Sequence, residues 1–192
     1  MNFGDATQLI IDITHRPDKE AEIKSVINDG IALLASRPFA SDTTSTSVTL
    51  DANSYIQSLD TSIAPFARFK KVKWIKPDGW KKYITYRDPN QMMINGCECL
   101  NVWYKEGVEI KFKTDVKLSS VIIGYYQFHQ ILRNANDRDW MLDQMWPAVK
   151  GYALATIFGG IGDDQERARF TAEYLKFWDI FYNDLGDSAE AH

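Results

Sequence analysis

Cysteine is scarce in this chain: Cys97 and Cys99 are its only two in 192 residues. Two thiols cannot staple a small scaffold with disulfides, and such sparse use fits a reducing compartment. Histidine is scarce too, and His15, His129 and His192 lie too far apart to form a metal-ligand motif. No apolar run exceeds a few residues, so no membrane-spanning helix is expected. An excess of basic charge is also missing. The 22 Lys and Arg against 26 Asp and Glu leave a net charge of −4, which excludes a globally basic nucleic-acid binder. The opening Met1-Asn2-Phe3-Gly4-Asp5 has neither the basic patch nor the apolar run of a secretory signal. Aromatic residues, by contrast, are abundant at 13%, with six Trp, nine Tyr and ten Phe. That is more than a modest core usually holds, so some are expected to face other chains. With 45% apolar and 25% charged residues the chain is expected to be globular, as one ordinary domain or two small ones.

Hydrophobic periodicity divides the chain into three parts. A short helix is expected near Ala6 to Ile13. After the break Thr14-His15-Arg16-Pro17-Asp18, the spacing of Ile23, Val26, Ile27, Gly30, Ile31 and Leu34 predicts an amphipathic helix ending near Arg37-Pro38. Ser41 to Ser47 is polar and Thr-rich and reads as a loop. The pattern then turns to short β runs, at Ser47–Leu50, Phe66–Lys76, Lys81–Arg87, Glu98–Lys105, Glu109–Thr114 and Ser119–Gln127. Pro77-Asp78-Gly79 and Glu106-Gly107 read as hairpin turns between them. The last part is helical. A short turn over Asp139 to Met145 is stopped by Pro147. A small-residue helix, Ala148 to Phe158, is closed by Gly159-Gly160, and a long helix opens on Asp163 and Glu166 and runs to about Leu185.

Signatures of chemistry are sparse. Cys97-x-Cys99 would put two thiols on one strand face, a conceivable half-site, but nothing completes it, and buried or half-buried free thiols are the plainer reading. His129 follows a strand and has no nucleophile of known signature nearby, so it reads as a strand-end residue rather than a base. The glycine-rich Phe158-Gly159-Gly160-Ile161-Gly162-Asp163-Asp164 follows a helix and presents carboxylates where a phosphate would sit. It is a helix–helix turn rather than a phosphate loop. No catalytic, cofactor-binding or metal-binding residues are therefore expected, and the chain is not read as an enzyme.

Charge is distributed unevenly. Residues 68–87 carry eight basic residues against Asp78 alone, a net of +7, and residues 137–192 carry eleven acidic and five basic, a net of −6. The basic segment interleaves Lys71, Lys73 and their neighbours with Phe69, Trp74, Trp80, Tyr83 and Tyr86. That is a pattern a single-strand nucleic-acid platform would use, and also one of a hairpin with a solvated lysine face. The last helix carries two apolar stripes. One is Ala168, Ala172, Leu175, Trp178, Tyr182 and Leu185; the other is Phe170, Tyr174, Phe177 and Phe181. A helix covering one core needs one apolar face, so the second stripe is expected to meet another chain. Phe170, Tyr174, Phe177 and Phe181, with Lys71, Lys73 and Trp80, are the candidate contact residues.

Three stretches resemble the head–tail adaptor (head-completion, connector or neck) proteins of tailed bacteriophages. They are Ile13-Thr14-His15-Arg16-Pro17-Asp18 with Arg37-Pro38-Phe39; Pro65-Phe66-Ala67-Arg68-Phe69-Lys70-Lys71-Val72; and Ser119 through Ala172. The last includes Ile122-Ile123-Gly124-Tyr125-Tyr126, Asp139-Trp140-Met141-Leu142-Asp143-Gln144, Pro147-Ala148, Gly151-Tyr152-Ala153-Leu154 and the acidic turn Ile161-Gly162-Asp163-Asp164-Gln165-Glu166. By order of elements the likeness covers nearly the whole chain, although each motif is short. Trp146 before the proline and the lysine-heavy middle depart from the family pattern. The resemblance implies an α+β subunit: N-terminal helices (1–40) and C-terminal helices (137–186) in one bundle, a sandwich- or barrel-like β region (45–130) inserted between them, and a tail (187–192). It further implies a non-enzymatic virion protein that forms a homo-oligomeric ring, commonly a dodecamer. Such a ring, assembled in the host cytoplasm, sits between the portal protein and the tail or neck proteins, and viral DNA passes through its channel without sequence-specific binding. Its partners include no membrane, and it needs no cofactor. The alternative is a nucleic-acid-binding β module using the Lys/aromatic hairpin 68–87.

Overall fold

The computed structural model describes residues 1–36, 38–66, 68–90 and 100–185. These contain five α-helices and seven β-strands in an α+β arrangement, divided into two compact units. Among the described residues, 1–41 and 129–185 make a helical unit, and Asp42–Phe128 make a β unit. Among the described residues no helix is long and apolar enough to cross a membrane.

The helical unit begins with α1 (Phe3–Thr14), whose N-cap Asn2 accepts a hydrogen bond from the Asp5 N–H. Phe3, Ala6 and Ile10 form its buried stripe, and His15, left-handed at φ 53°, ends it. A 3₁₀ turn at Pro17–Lys19 leads into α2 (Glu20–Leu34), which buries all six residues of the stripe read from the sequence. α3 (Trp140–Gln144) is capped by Asp139, which accepts from the Met141 N–H. α4 (Trp146–Ile161), with Pro147 in its first turn, and α5 (Asp164–Leu185) complete the bundle. The small residues of α4 have a specific use. A Cβ on Gly151 would lie 2.9 Å from the Tyr174 backbone nitrogen and 3.0 Å from its Cα, so α4 and α5 meet backbone to backbone there. The segment 129–139 also belongs to this unit, earlier than the expected boundary at 137. Its Asp137 and Ala135 carbonyls accept from the Phe3 and Gly4 N–H groups at the start of α1. Leu132 trades hydrogen bonds with the Asn28 side-chain amide of α2.

The β unit is a two-sheet sandwich. β1 (Thr43–Thr49), β7 (Ser120–Gln127) and β3 (Phe69–Pro77) form an antiparallel sheet in the order β1-β7-β3. The other sheet has the order β2-β6-β5-β4, built from β2 (Ile56–Asp60), β6 (Glu109–Lys113), β5 (Val102–Glu106) and β4 (Thr85–Tyr86). Val121, Ile123 and Tyr125 of β7 meet Trp103, Ile110 and Phe112 of the facing sheet in one buried cluster. On the other side of β7 the Trp74 indole lies across Gly124, where a Cβ would come within 2.2 Å of the ring. β5 and β6 are joined through Gly107, at φ 60°, as the expected tight hairpin.

Four expectations about elements are corrected. Ser41–Ser47 is not a loop: Thr43, Thr44 and Thr46 are β-branched and pair with β7 as an edge strand. β2 escaped notice because Gln57 occupies a buried position. Its amide is satisfied there by donating to the Asp51 and Ser54 carbonyls. Lys81–Arg87 is not the return arm of a hairpin with β3. A single bridge, Ile75 with Ile84, joins them, after which the chain enters the second sheet as β4, parallel to β5. Gly159 and Gly160 lie inside α4. The helix ends at Gly162 (φ 81°), and the Asp163 carboxylate then accepts from the Glu166 N–H to start α5.

Candidate functional site

Two surfaces contain the residues singled out from the sequence, and each is built differently. On α5, Phe170 is 5% exposed and stacks on Phe158 of α4, with ring centroids 5.6 Å apart. Tyr174 meets Tyr152 edge-on at 5.8 Å, and burial with Tyr152 nearby raises its phenol above the ordinary tyrosine pKa. Phe177 and Phe181 are half-buried on the same core and stack on each other. The stripe expected to meet another chain is therefore the one that covers the helical core. The outward side carries Ala168, Ala172 and Leu175, the stripe that the sequence reading turned inward. Large aromatic rings remove more apolar area from water than alanines do, so they win the inward side when both stripes compete. Leu175 and Ile180 stand 49% and 44% exposed, and Trp178 and Tyr182 pair at the border between the two sides.

The basic segment of the β unit separates into inward and outward residues. Lys71 is exposed on β3. Lys73 is half-buried, its ammonium 5.2 Å from the centroid of the Tyr126 ring. Lys70 lies over Phe128; burial holds its pKa below the ordinary lysine value, while Asp42 pulls the other way. Trp80 is half-buried against the sandwich core, and its backbone N–H donates to the Pro77 carbonyl. Beyond Lys71, the exposed residues cluster at Lys81, Lys82, Tyr83, Tyr86 and Arg87, with Tyr83 59% exposed. Trp74 and Trp103 back the two tyrosines at 5.5 and 4.8 Å. This is a flank of three cations and two rings held on a sheet edge. Tyr83 and Tyr86 belong to the aromatic set that the sequence interleaves with the lysines, although they are not among the individual contact candidates.

The candidates for chemistry sort out plainly. His129 and Asp139 are both buried, and the imidazole Nδ1 lies 2.6 Å from the carboxylate that also caps α3. That arrangement locks the start of a helix. Cys97 and Cys99 lie outside the described residues, as does the tail 187–192. Among the described residues no group of three or more His, Cys, Asp or Glu is placed to hold a metal ion. No protein-family model matches the chain, and no curated protein matches it in sequence.

Proposed function

We propose that this protein is a structural subunit of the head–tail adaptor ring of a tailed bacteriophage, placed between portal and tail or neck proteins around the DNA channel. In this reading it works by assembly, not catalysis, in the virion. The observation that carries the reading is the outward side of α5. It presents Leu175, 49% exposed, beside the exposed Ala168 and Ala172 on a helix whose aromatic stripe already serves its own core, which leaves this side for another chain. Support also comes from the order of elements, with helices from both ends of the chain in one unit and a β unit inserted between them, as the resemblance implies. Head-to-tail contacts repeated about an axis close into a ring when the rotation between neighbours divides the full turn.

Native mass spectrometry and electron microscopy of the chain with its portal protein test the reading. Rings are expected, and Leu175→Asp should abolish them while leaving the helical content unchanged. A chain that stays monomeric beside its portal overturns it. A second reading, single-stranded nucleic-acid binding, is favoured by one observation: Tyr83 and Tyr86 are exposed among Lys81, Lys82 and Arg87. Salt-sensitive binding of an oligonucleotide, lost in Lys71→Glu with Lys82→Glu, would support it; no binding at low salt removes it.

A further inference from the structure

We propose that the β unit is a head-to-tail assembly module, in which the basic flank formed by β3 and residues 80–87 of one copy seats on the β1/β2 flank of the next. The inference rests on the ring reading above and names the contact that joins neighbouring copies. Its basis is a polarity built into the topology. β1 and β2 are edges of their sheets, β3 and β4 are the opposite edges, and the Ile75–Ile84 bridge ties the latter pair together. Residues 68–87 on one side hold eight cations against Asp78. Residues 43–66 on the other side hold Asp51 and Asp60 and no Lys or Arg. The unit therefore presents complementary charge on two opposed flanks, the arrangement that favours self-association in one direction over face-to-face pairing.

The receiving flank has the shape of a seat. A cleft of about 410 Å³ opens beside β1 and β2, lined by Val48, Leu59, Ile63 and Phe66 with Asp60 and Glu109. Ile56 and Ile63 stand more than 60% exposed at this flank. The Ser62 N–H and hydroxyl donate to the Asp60 carboxylate at 2.7 and 2.6 Å, holding its pKa below the usual carboxylate range, so it stays charged. Glu109 shares Lys111 with Glu106, and Lys117 lies over Tyr55 at one end of the flank. Lys113, the cross-strand partner of Ile56, also stands beside this flank, so the attraction for a cation is local to Asp60 and Asp51. The sheet edges add main-chain groups. Thr61 N–H donates to the Val108 carbonyl and Thr114 N–H to that of Tyr55, a parity that turns Ser58 away from β6. On β4, Thr85 and Arg87 donate to Asn101 and Trp103, which turns Tyr86 away from β5. Each flank thus pairs exposed apolar side chains with an edge residue whose backbone faces outward.

Sedimentation velocity of the full chain across a salt series, beside Lys81→Glu with Lys82→Glu, tests the contact. Both lysines are exposed, so the variant is expected to keep the wild-type circular dichroism. The wild type should associate more weakly as salt rises, and the double variant about tenfold more weakly than wild type at low salt. Adding Ala52→Lys with Ser58→Lys, both at exposed positions, should restore association to within a few-fold. Association unchanged in the double variant overturns the flank contact while leaving the ring reading standing on another surface. A wild type that never self-associates also overturns it, and the ring reading is then judged by imaging with the portal. Association unaffected but oligonucleotide binding lost in the double variant assigns the basic flank to nucleic acid and overturns the inference.

Discussion

The contact of α4 with α5 at Gly151 fixes which side of α5 faces out, so Gly151→Ala probes the premise of the functional reading. The added methyl would sit 2.9 Å from the Tyr174 nitrogen, 3.0 Å from its Cα and 3.1 Å from its Cβ, where ordinary contact begins near 3.4 Å. Two of those atoms are backbone, so no side chain can swing aside and the helices must separate by about half an ångström. Overpacking of this kind costs about 1–3 kcal/mol. Alanine recovers about 1 kcal/mol through helix propensity, leaving a net loss of about 0–2 kcal/mol. Gly160→Ala is the control. It lies in the same helix, yet its methyl would meet only the Glu22 carboxylate at 3.7 Å. That variant should gain about 0.4–1 kcal/mol. Comparing the two largely cancels the propensity gain and leaves a steric difference of about 1–3 kcal/mol. In a chain of this size it appears as a separation of melting midpoints of about 2–4 °C per kcal/mol. Urea and thermal unfolding followed by far-ultraviolet circular dichroism would measure it. If the two variants match to within about 0.5 kcal/mol, α4 and α5 do not touch along their backbones, and the assignment of inward and outward sides on α5 falls with that contact.

Two other predictions address each unit's own packing. Gly124→Ala should push the Trp74 indole off β7, costing about 1–3 kcal/mol and shifting tryptophan emission; unchanged emission would contradict the close approach seen there. Asp137 accepts from the Arg133 and Asn134 N–H groups, which lowers its pKa in the folded chain. Its contribution is therefore full above the unfolded carboxylate value near ~3.9 and is lost as pH falls through the folded one. Asp137→Asn should lower the stability of the helical unit at neutral pH and flatten the acid limb of its pH profile. An acid limb identical to wild type would exclude this role.

Periodicity alone determined much of the helical unit. The α2 stripe is legible because six apolar residues repeat at helical spacing, and Pro17, Asp139 and Asp163 are local signals whose chemistry acts within one turn. The hairpin at Gly107 is legible for the same reason, since only the turn's own backbone demands that glycine. The scarcity of cysteine, of histidine and of long apolar runs is also plain in the sequence. What the tertiary structure decided are the choices between partners distant in sequence. Thr43–Thr49 is a strand because β7, more than seventy residues later, offers it a ladder. Gln57 is buried because two carbonyls close around its amide. On α5 both stripes satisfy helical spacing, and only the approach of Gly151 and Phe158 selects Phe170, Tyr174, Phe177 and Phe181 as inward. The aromatic excess is thus largely internal. Exposed positions fall to residues such as Ile56, Ile63, Tyr83, Tyr86 and Leu175, because exposure depends on what the rest of the chain has already covered.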